Sequence, residues 1–482
     1  MLQKELDIFP QGVSPTKVEE NISAAFRPIQ YLGSKLRLVK EISEIIESNK
    51  RNNLVCDLFS GSGVVSHYLA NNNNVISLDI QYYSTVISSA LINGRKFSKS
   101  EIFSFISEAK SNPIFTNLHF IYEPLTSLEE SLLKSKLATD DDKLKFASFV
   151  EKCSVYSYLK SNNHFSEIDK ENFVKTALMK FDKRYKTASE LVRKTSYCSF
   201  YYGGVYFSFR QSIMIDALLY KINELKTIDE PKYSILLAAL LSTLSEIVAT
   251  VGKQFAQPMK LTDKNNKPKA LLASRSVRDR NYDVETIFTK WLNEYSNNCF
   301  QQTNNKSITS DYKYFLDNCK ENIGCFYADP PYTIDHYSRF YHILESIALY
   351  DYPELAAMNK SNVGNVIMKG LYRVDRHQSL FCIPSQAKRA FTDLFQGASK
   401  FNCPLLLSYS PFEENTTHRP RLLSIQEIIS LAKNHYESVE VIEIKEHQHR
   451  KLNKTQNNSQ ALKNGEVMIL CKQTKNRQWK NT

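Results

Sequence analysis

Between Asn53 and Ile80 short apolar runs alternate with polar breaks in the pattern of one βαβ unit. Leu54, Val55 and Cys56 make an apolar strand that ends at Asp57, and the glycine-rich turn Phe59-Ser60-Gly61-Ser62-Gly63 follows. Val64–Ala70 predicts a helix, the run Asn71–Asn74 breaks it, and Val75–Leu78 returns as a second strand ending at Asp79. Consecutive parallel strands of this kind imply an α/β sheet covered by helices. From about Ser98 to Arg193 Phe and Leu recur at helical spacing among Lys, Ser and Glu, and glycine is absent, which predicts a mainly helical insertion. An aromatic stretch with a glycine pair follows at Tyr197–Ser212, then an apolar helix over Ile235–Val251. Asp263–Arg280 is polar and basic with no period and is expected to be a loop or linker. Strand signals resume at Gly324–Ala328 and Pro404–Ser408. Val439–Ile444 and Glu466–Cys471, around a long polar centre, suit a closing antiparallel pair. The α/β core is therefore expected in two parts, residues 20–95 and 301–475, with residues 96–300 set apart as a helical insertion.

Composition changes this picture little. The 482 residues allow two or three domains, and 42% apolar residues allow a sizeable core. The apolar run Ile235–Val251 carries Ser242, Thr243, Ser245, Glu246 and Thr250, so a buried helix of a soluble protein is expected there and not a membrane span. The first residues lack a basic start followed by an apolar stretch, so no signal peptide is expected. Nine scattered cysteines, without the close spacing of a zinc or redox motif, suit reduced thiols in a cytoplasmic protein. Charge adds more: 62 Lys and Arg against 51 Asp and Glu give +11, an excess that favours an anionic partner such as nucleic acid.

Two elements carry chemistry. A strand that ends in a tight glycine turn brings backbone N–H groups close to a ligand. Asp79 stands at the end of the next strand, eighteen positions beyond Gly61, where a carboxylate can bond a ribose diol. The pair points to an adenosine-type cofactor. The second element is Asp329-Pro330-Pro331-Tyr332, directly after the apolar run Gly324–Ala328. Two prolines cannot continue a strand ladder, so the chain turns and exposes Asp329 and Tyr332 at the sheet's carboxyl edge. The N6 lone pair of adenine is delocalised into the ring and is a poor nucleophile. A carboxylate and a main-chain carbonyl that accept both N–H bonds would localise that pair as charge develops, and Tyr332 could stack on the base. Such a base must first leave the duplex.

Together the two motifs resemble the Dam-like, DPPY group of DNA adenine-N6 methyltransferases, and Tyr31-Leu32-Gly33-Ser34-Lys35 looks like that family's N-terminal cofactor motif. The stretches Asp335–His342, Gly370–Ser379, Leu405–Pro411, Tyr201–Phe209 and Val251–Pro258 are similar to segments of a long subgroup. The resemblance implies a class I methyltransferase core, Rossmann-like, with S-adenosyl-L-methionine bound by Tyr31, Lys35, Asp57, Phe59, Gly61, Gly63, Asp79, Asp311 and Asp329. It implies that Asp329, Pro330, Pro331 and Tyr332 carry catalysis, with Asp79 on the cofactor ribose and Asp311 near its adenine. It also implies double-stranded DNA as substrate, a monomer, and a place in restriction–modification or phage defence beside a separate nuclease. More than half of the chain separates Gly63 from Asp329, so residues 96–300 are expected to include the target-recognition region.

Methylation of cytosine N4 or of structured RNA, and a non-catalytic DNA-binding relative, stay open as alternatives. The insertion holds no nuclease motif of the PD…(D/E)xK type. Arg339, Arg373, Arg376 and His377, with Lys253, Gln254 and Gln257, are candidates for phosphate and base-edge contacts. His447-Gln448-His449-Arg450 lacks the acids or cysteines of a metal site, and no metal is expected.

Overall fold

The computed structural model describes residues 26–135, 137–161, 173–301, 304–334, 336–360, 364–410, 422–444 and 466–473. Nine strands occur among them. They are β1 (Leu54–Asp57), β2 (Asn74–Asp79), β3 (Lys306–Thr309), β4 (Cys325–Ala328), β5 (Ala357–Lys360), β6 (Gly364–Ile367), β7 (Leu405–Tyr409), β8 (Ser438–Ile444) and β9 (Glu466–Lys472). β5 and β6 form a small antiparallel pair, and the other seven make one sheet in the order β3-β2-β1-β4-β7-β9-β8. From β3 to β7 the pairing is parallel, with Val55 opposite Val75 on one side and Cys325 on the other. β9 enters antiparallel to β7, and β8 closes the edge antiparallel to β9.

The central strands are short, apolar and buried on both faces, as parallel sheets require. Their residues divide by the two-residue period. Val55, Val75, Tyr327 and Leu406 face the layer that contains Val39–Asn49 and Val64–Leu69. Cys56, Ile76, Phe326 and Leu407 face the helices Tyr312–Asn318, Pro384–Ser399 and Ile425–Lys433. The chain runs outward from β1 through β2 to β3, then returns to lay β4 on the opposite side of β1. Residues at the carboxyl ends of β1 and β4 therefore border the crevice at which such sheets bind ligands.

The expected strands are present within a residue or two, and the insertion is mainly helical. Two expectations need correction. The middle of the chain is not set apart in packing: Glu230–Ile247, buried along most of its length, lies on Tyr82–Ile92 of the sheet's helical layer, and one apolar core runs through both. The expected loop over Asp263–Arg280 contains a helix, Ala270–Arg280. Its buried face is Ala273, Ser276, Asp279 and Arg280, small or polar residues that leave no apolar period to read. Arg280, with no exposed surface, meets Glu129 at 2.5 Å and donates to the carbonyls of Gly204 and Val205 at 2.9 Å each. Glu129 in turn accepts from the Phe209 N–H at 2.7 Å. This pair ties the aromatic stretch to the helices Pro113–Lys134 and Ala270–Arg280. No helix among the described residues is long and apolar enough to cross a membrane.

Candidate active site

The glycine turn is shaped by close approach. Gly61 has φ +52°, and a Cβ there would lie 2.8 Å from the Tyr31 ring. Gly63, at φ +73°, would meet Ser88 Oγ at 2.8 Å. Neither position accepts a side chain without displacing a neighbour. The Gly61 N–H donates to Asp79 Oδ2 at 2.9 Å, and the Gln81 N–H donates to Oδ1 at 2.9 Å. Burial raises the Asp79 carboxyl above the usual range, and the Gln81 and Gly61 N–H groups oppose that shift. Hydrogen bonds from the Ser84 side chain and the Ile80 N–H oppose it further. Asp57, fully buried at the end of β1, takes the Ser66 hydroxyl at 2.7 Å and the Phe59 N–H at 3.3 Å. Burial pushes its carboxyl up to about 7.

Tyr31 lies on the turn and stacks on Tyr341, with ring centroids 5.0 Å apart and an interplanar angle of 15°. Lys35 is buried beneath the other side of the site. Its ammonium donates to the Gly33 carbonyl at 3.1 Å and pairs with Asp329 Oδ2 and Glu466 Oε1 at 2.8 Å each. Burial opposes the charge of Lys35, but Asp329 and Glu466 hold its pKa well above the ordinary lysine value. Tyr332 completes the group: its hydroxyl lies 3.3 Å from Glu466 Oε1, and its ring tilts against Tyr409 with centroids 5.1 Å apart. Asp311 caps the helix Tyr312–Asn318 by accepting the Lys313 and Tyr314 N–H groups, and Phe59 packs on Tyr312 and Phe381.

One cleft of about 1260 Å³, its open mouth included, gathers Tyr31, Lys35, Asp57, Phe59, Gly61, Asp79, Asp311, Asp329, Pro330, Pro331 and Tyr332. Gly63 stands behind the turn and does not line it. Glu466 went unseen in the sequence, because its only local signal is an acid opening an apolar strand.

Among the cationic candidates outside the cleft, Arg373 is buried in ion pairs with Asp351 and Asp375, and Lys253 pairs with Asp279 at 3.0 Å. Both serve the fold. His377 lines the cleft mouth, with Arg339 and Arg376 beside it. His447–Arg450 lies outside the described residues.

A doubly wound sheet in this strand order, with the glycine turn and Asp79 facing an Asp-Pro-Pro-Tyr turn across the switch point, defines a class I methyltransferase fold. Residues 31–212 and 273–369 match the family described as D12 class N6 adenine-specific DNA methyltransferase. The chain belongs to that family, whose methyltransferases use S-adenosylmethionine as methyl donor.

The chain is similar to type II methyltransferase M.FokI of Planomicrobium okeanokoites, 26% identical over 84% of this chain and 47% of that protein. Modification methylase LlaI of Lactococcus lactis subsp. lactis is 24% identical over 92% of this chain and 55% of its own length. Modification methylase StsI of Streptococcus sanguinis is 22% identical over 85% and 48% respectively. The chain spans about half the length of the curated relatives it matches.

Proposed function

We propose that the protein transfers a methyl group from S-adenosylmethionine to the N6 amine of adenine in double-stranded DNA. In this reading it is a cytoplasmic monomer, the modification partner of a separate nuclease in restriction–modification or phage defence. The observation that carries the reading is Asp329: it follows β4 at the switch point, is held by Lys35, and shares a cleft with Asp79.

The bound cofactor supplies the methyl group on a cationic sulfur. Asp79 would hold its ribose, the Gly61 turn and Tyr31 would bound it, and Phe59 and Asp311 would lie along its purine. A flipped adenine would enter against Tyr332. Asp329 and the Pro330 carbonyl would accept the two N6–H bonds, which turns the lone pair toward the methyl carbon. When bound, the cofactor would supply its methyl to N6 with loss of the C–S bond and become an uncharged thioether, and the Asp329 carboxylate would accept the proton that N6 loses and pass it to water. Fixing both reactants in line supplies much of the rate.

Long-read modification sequencing of DNA from cells expressing wild type and Asp329→Ala tests this. N6-methyladenine at one short motif in wild type only is the expected outcome. N4-methylcytosine, or no modified base at all, would overturn the assignment. With purified protein, Asp329→Ala should weaken cofactor binding less than Asp79→Ala does. Equal losses would contradict the division of roles.

A further inference from the structure

Four segments far apart in sequence meet in one wall beside the cleft. The Tyr206 hydroxyl bonds the carbonyls of Phe255 and Gly370 at 3.0 Å each. His342 reaches the Phe255 carbonyl at 3.1 Å, the Phe255 N–H donates to Phe340 at 3.0 Å, and the Tyr372 hydroxyl donates to Ala256. Tyr372 is buried, and two guanidiniums lie on its ring: Arg339 at 5.0 Å from the centroid and Arg376 at 4.8 Å. Arg339 also donates to the Tyr372 hydroxyl at 3.3 Å, and Arg376 to the Arg373 carbonyl at 3.0 Å.

Neither guanidinium meets an acid among the described residues, whereas their neighbour Arg373 takes two. Half-burial, and then the charge of Arg339, lower the Arg376 pKa below its ordinary value. Two like charges confined on one ring repel, and an anion placed between or beside them removes the repulsion. Cation–π contact with Tyr372 holds them in place without neutralising them. Each arginine adjoins cleft-lining residues: Ser338 precedes Arg339, and His377 follows Arg376.

We propose that Arg339 and Arg376, mounted on Tyr372, form a phosphate clamp that grips the DNA backbone next to the base entering the cleft. The clamp rests on the reading of duplex DNA as substrate. It carries no sequence information itself. It fixes the strand against the wall so that one nucleotide lies over Tyr332.

The test is fluorescence anisotropy with a labelled duplex of mixed sequence, over salt from about 50 to about 200 mM. Wild type, Arg339→Gln and Arg376→Gln are compared, with Lys400→Gln, which alters a surface pair with Asp317 remote from the cleft, as control. Each clamp variant should lower the slope of log K against log salt by about one. Affinity should fall alike for every duplex, while cofactor affinity and melting temperature stay at wild-type values. An unchanged slope in both clamp variants, or the same fall in Lys400→Gln, would overturn the clamp, as would a wild type that binds no duplex. Assaying N6-methyladenine in the same samples separates the two ideas. Variants of lowered slope in a protein that forms no methylated adenine would keep the clamp and sink the reaction. A wild type that methylates DNA, with variants of unchanged slope, would do the reverse.

Discussion

Lys35 has three N–H donors, and each meets an acceptor: Gly33, Asp329 and Glu466. Two carboxylates, those of Asp329 and Glu466, surround one ammonium. Glu466 thereby positions two residues, Lys35 and Tyr332, without reaching the cleft itself. Replacing Glu466 by Gln keeps its shape and removes its charge. The expected result is single-turnover methyl transfer slower by about ten- to a hundredfold, the equivalent of one charge-assisted hydrogen bond, with cofactor affinity changed much less. Rapid-quench kinetics beside cofactor titration checks it, and a wild-type rate in Glu466→Gln would remove the residue from the mechanism. At this scale the sequence is legible where chemistry sits in a compact motif. Asp79 ends β2 eighteen residues beyond Gly61, and Asp329 follows β4 ahead of two prolines, so local chemistry marks them. Glu466 is marked only by what surrounds it in space, on the far side of β7.

Among elements, legibility follows apolar period. β1, β2, β4, β7 and β9 are apolar runs and could be placed from the sequence. β3 could not: its four residues are half-buried at most, on the edge of the sheet. The helix Ala270–Arg280 escaped for a related reason, since what it buries is an arginine. Removing that arginine strands Glu129 in the interior without its partner, a loss of about 3–5 kcal/mol for a buried pair. Denaturant titration followed by circular dichroism should show Arg280→Leu destabilised by this order. Glu129→Gln added to Arg280→Leu should recover part of the loss, because the orphaned charge is then gone. If the double variant is weaker than the single by the full cost of a second deletion, the pair is not coupled.

Across the whole molecule, buried acids outside any ion pair set a pH dependence. Burial raises the carboxyls of Asp57 and Glu345 to about 7 and that of Asp216 to about 8. All three lie above their unfolded values, so the folded chain binds more protons than the unfolded chain in the window between. Their contribution to stability is complete below about pH 4 and is lost as pH rises through about 7 to 8. Between about pH 7 and pH 8, where the desolvated histidines are already largely neutral in the folded and unfolded chain alike, melting temperature should therefore fall, and less steeply in Asp216→Asn. A curve that rises over that range, or an Asp216→Asn curve parallel to wild type, would contradict the assignment. The overall arrangement, an α/β core split around a helical insertion, was legible from where strand signals stopped and resumed. Its integration was not, because the contact of Glu230–Ile247 with Tyr82–Ile92 joins faces that look alike as isolated amphipathic or apolar helices.

The strand order also governs when the site comes into being during synthesis. β1 pairs with β4 across most of the chain, and Lys35 waits for an acid on the last strand described. Ribosomes extend chains at about 5–20 residues per second, so tens of seconds separate the emergence of the glycine turn from that of Glu466. A nascent or prematurely cut chain thus holds the glycine turn without the acid that completes the Lys35 group, and on the proposed reading would be inactive until β9 has docked on β7.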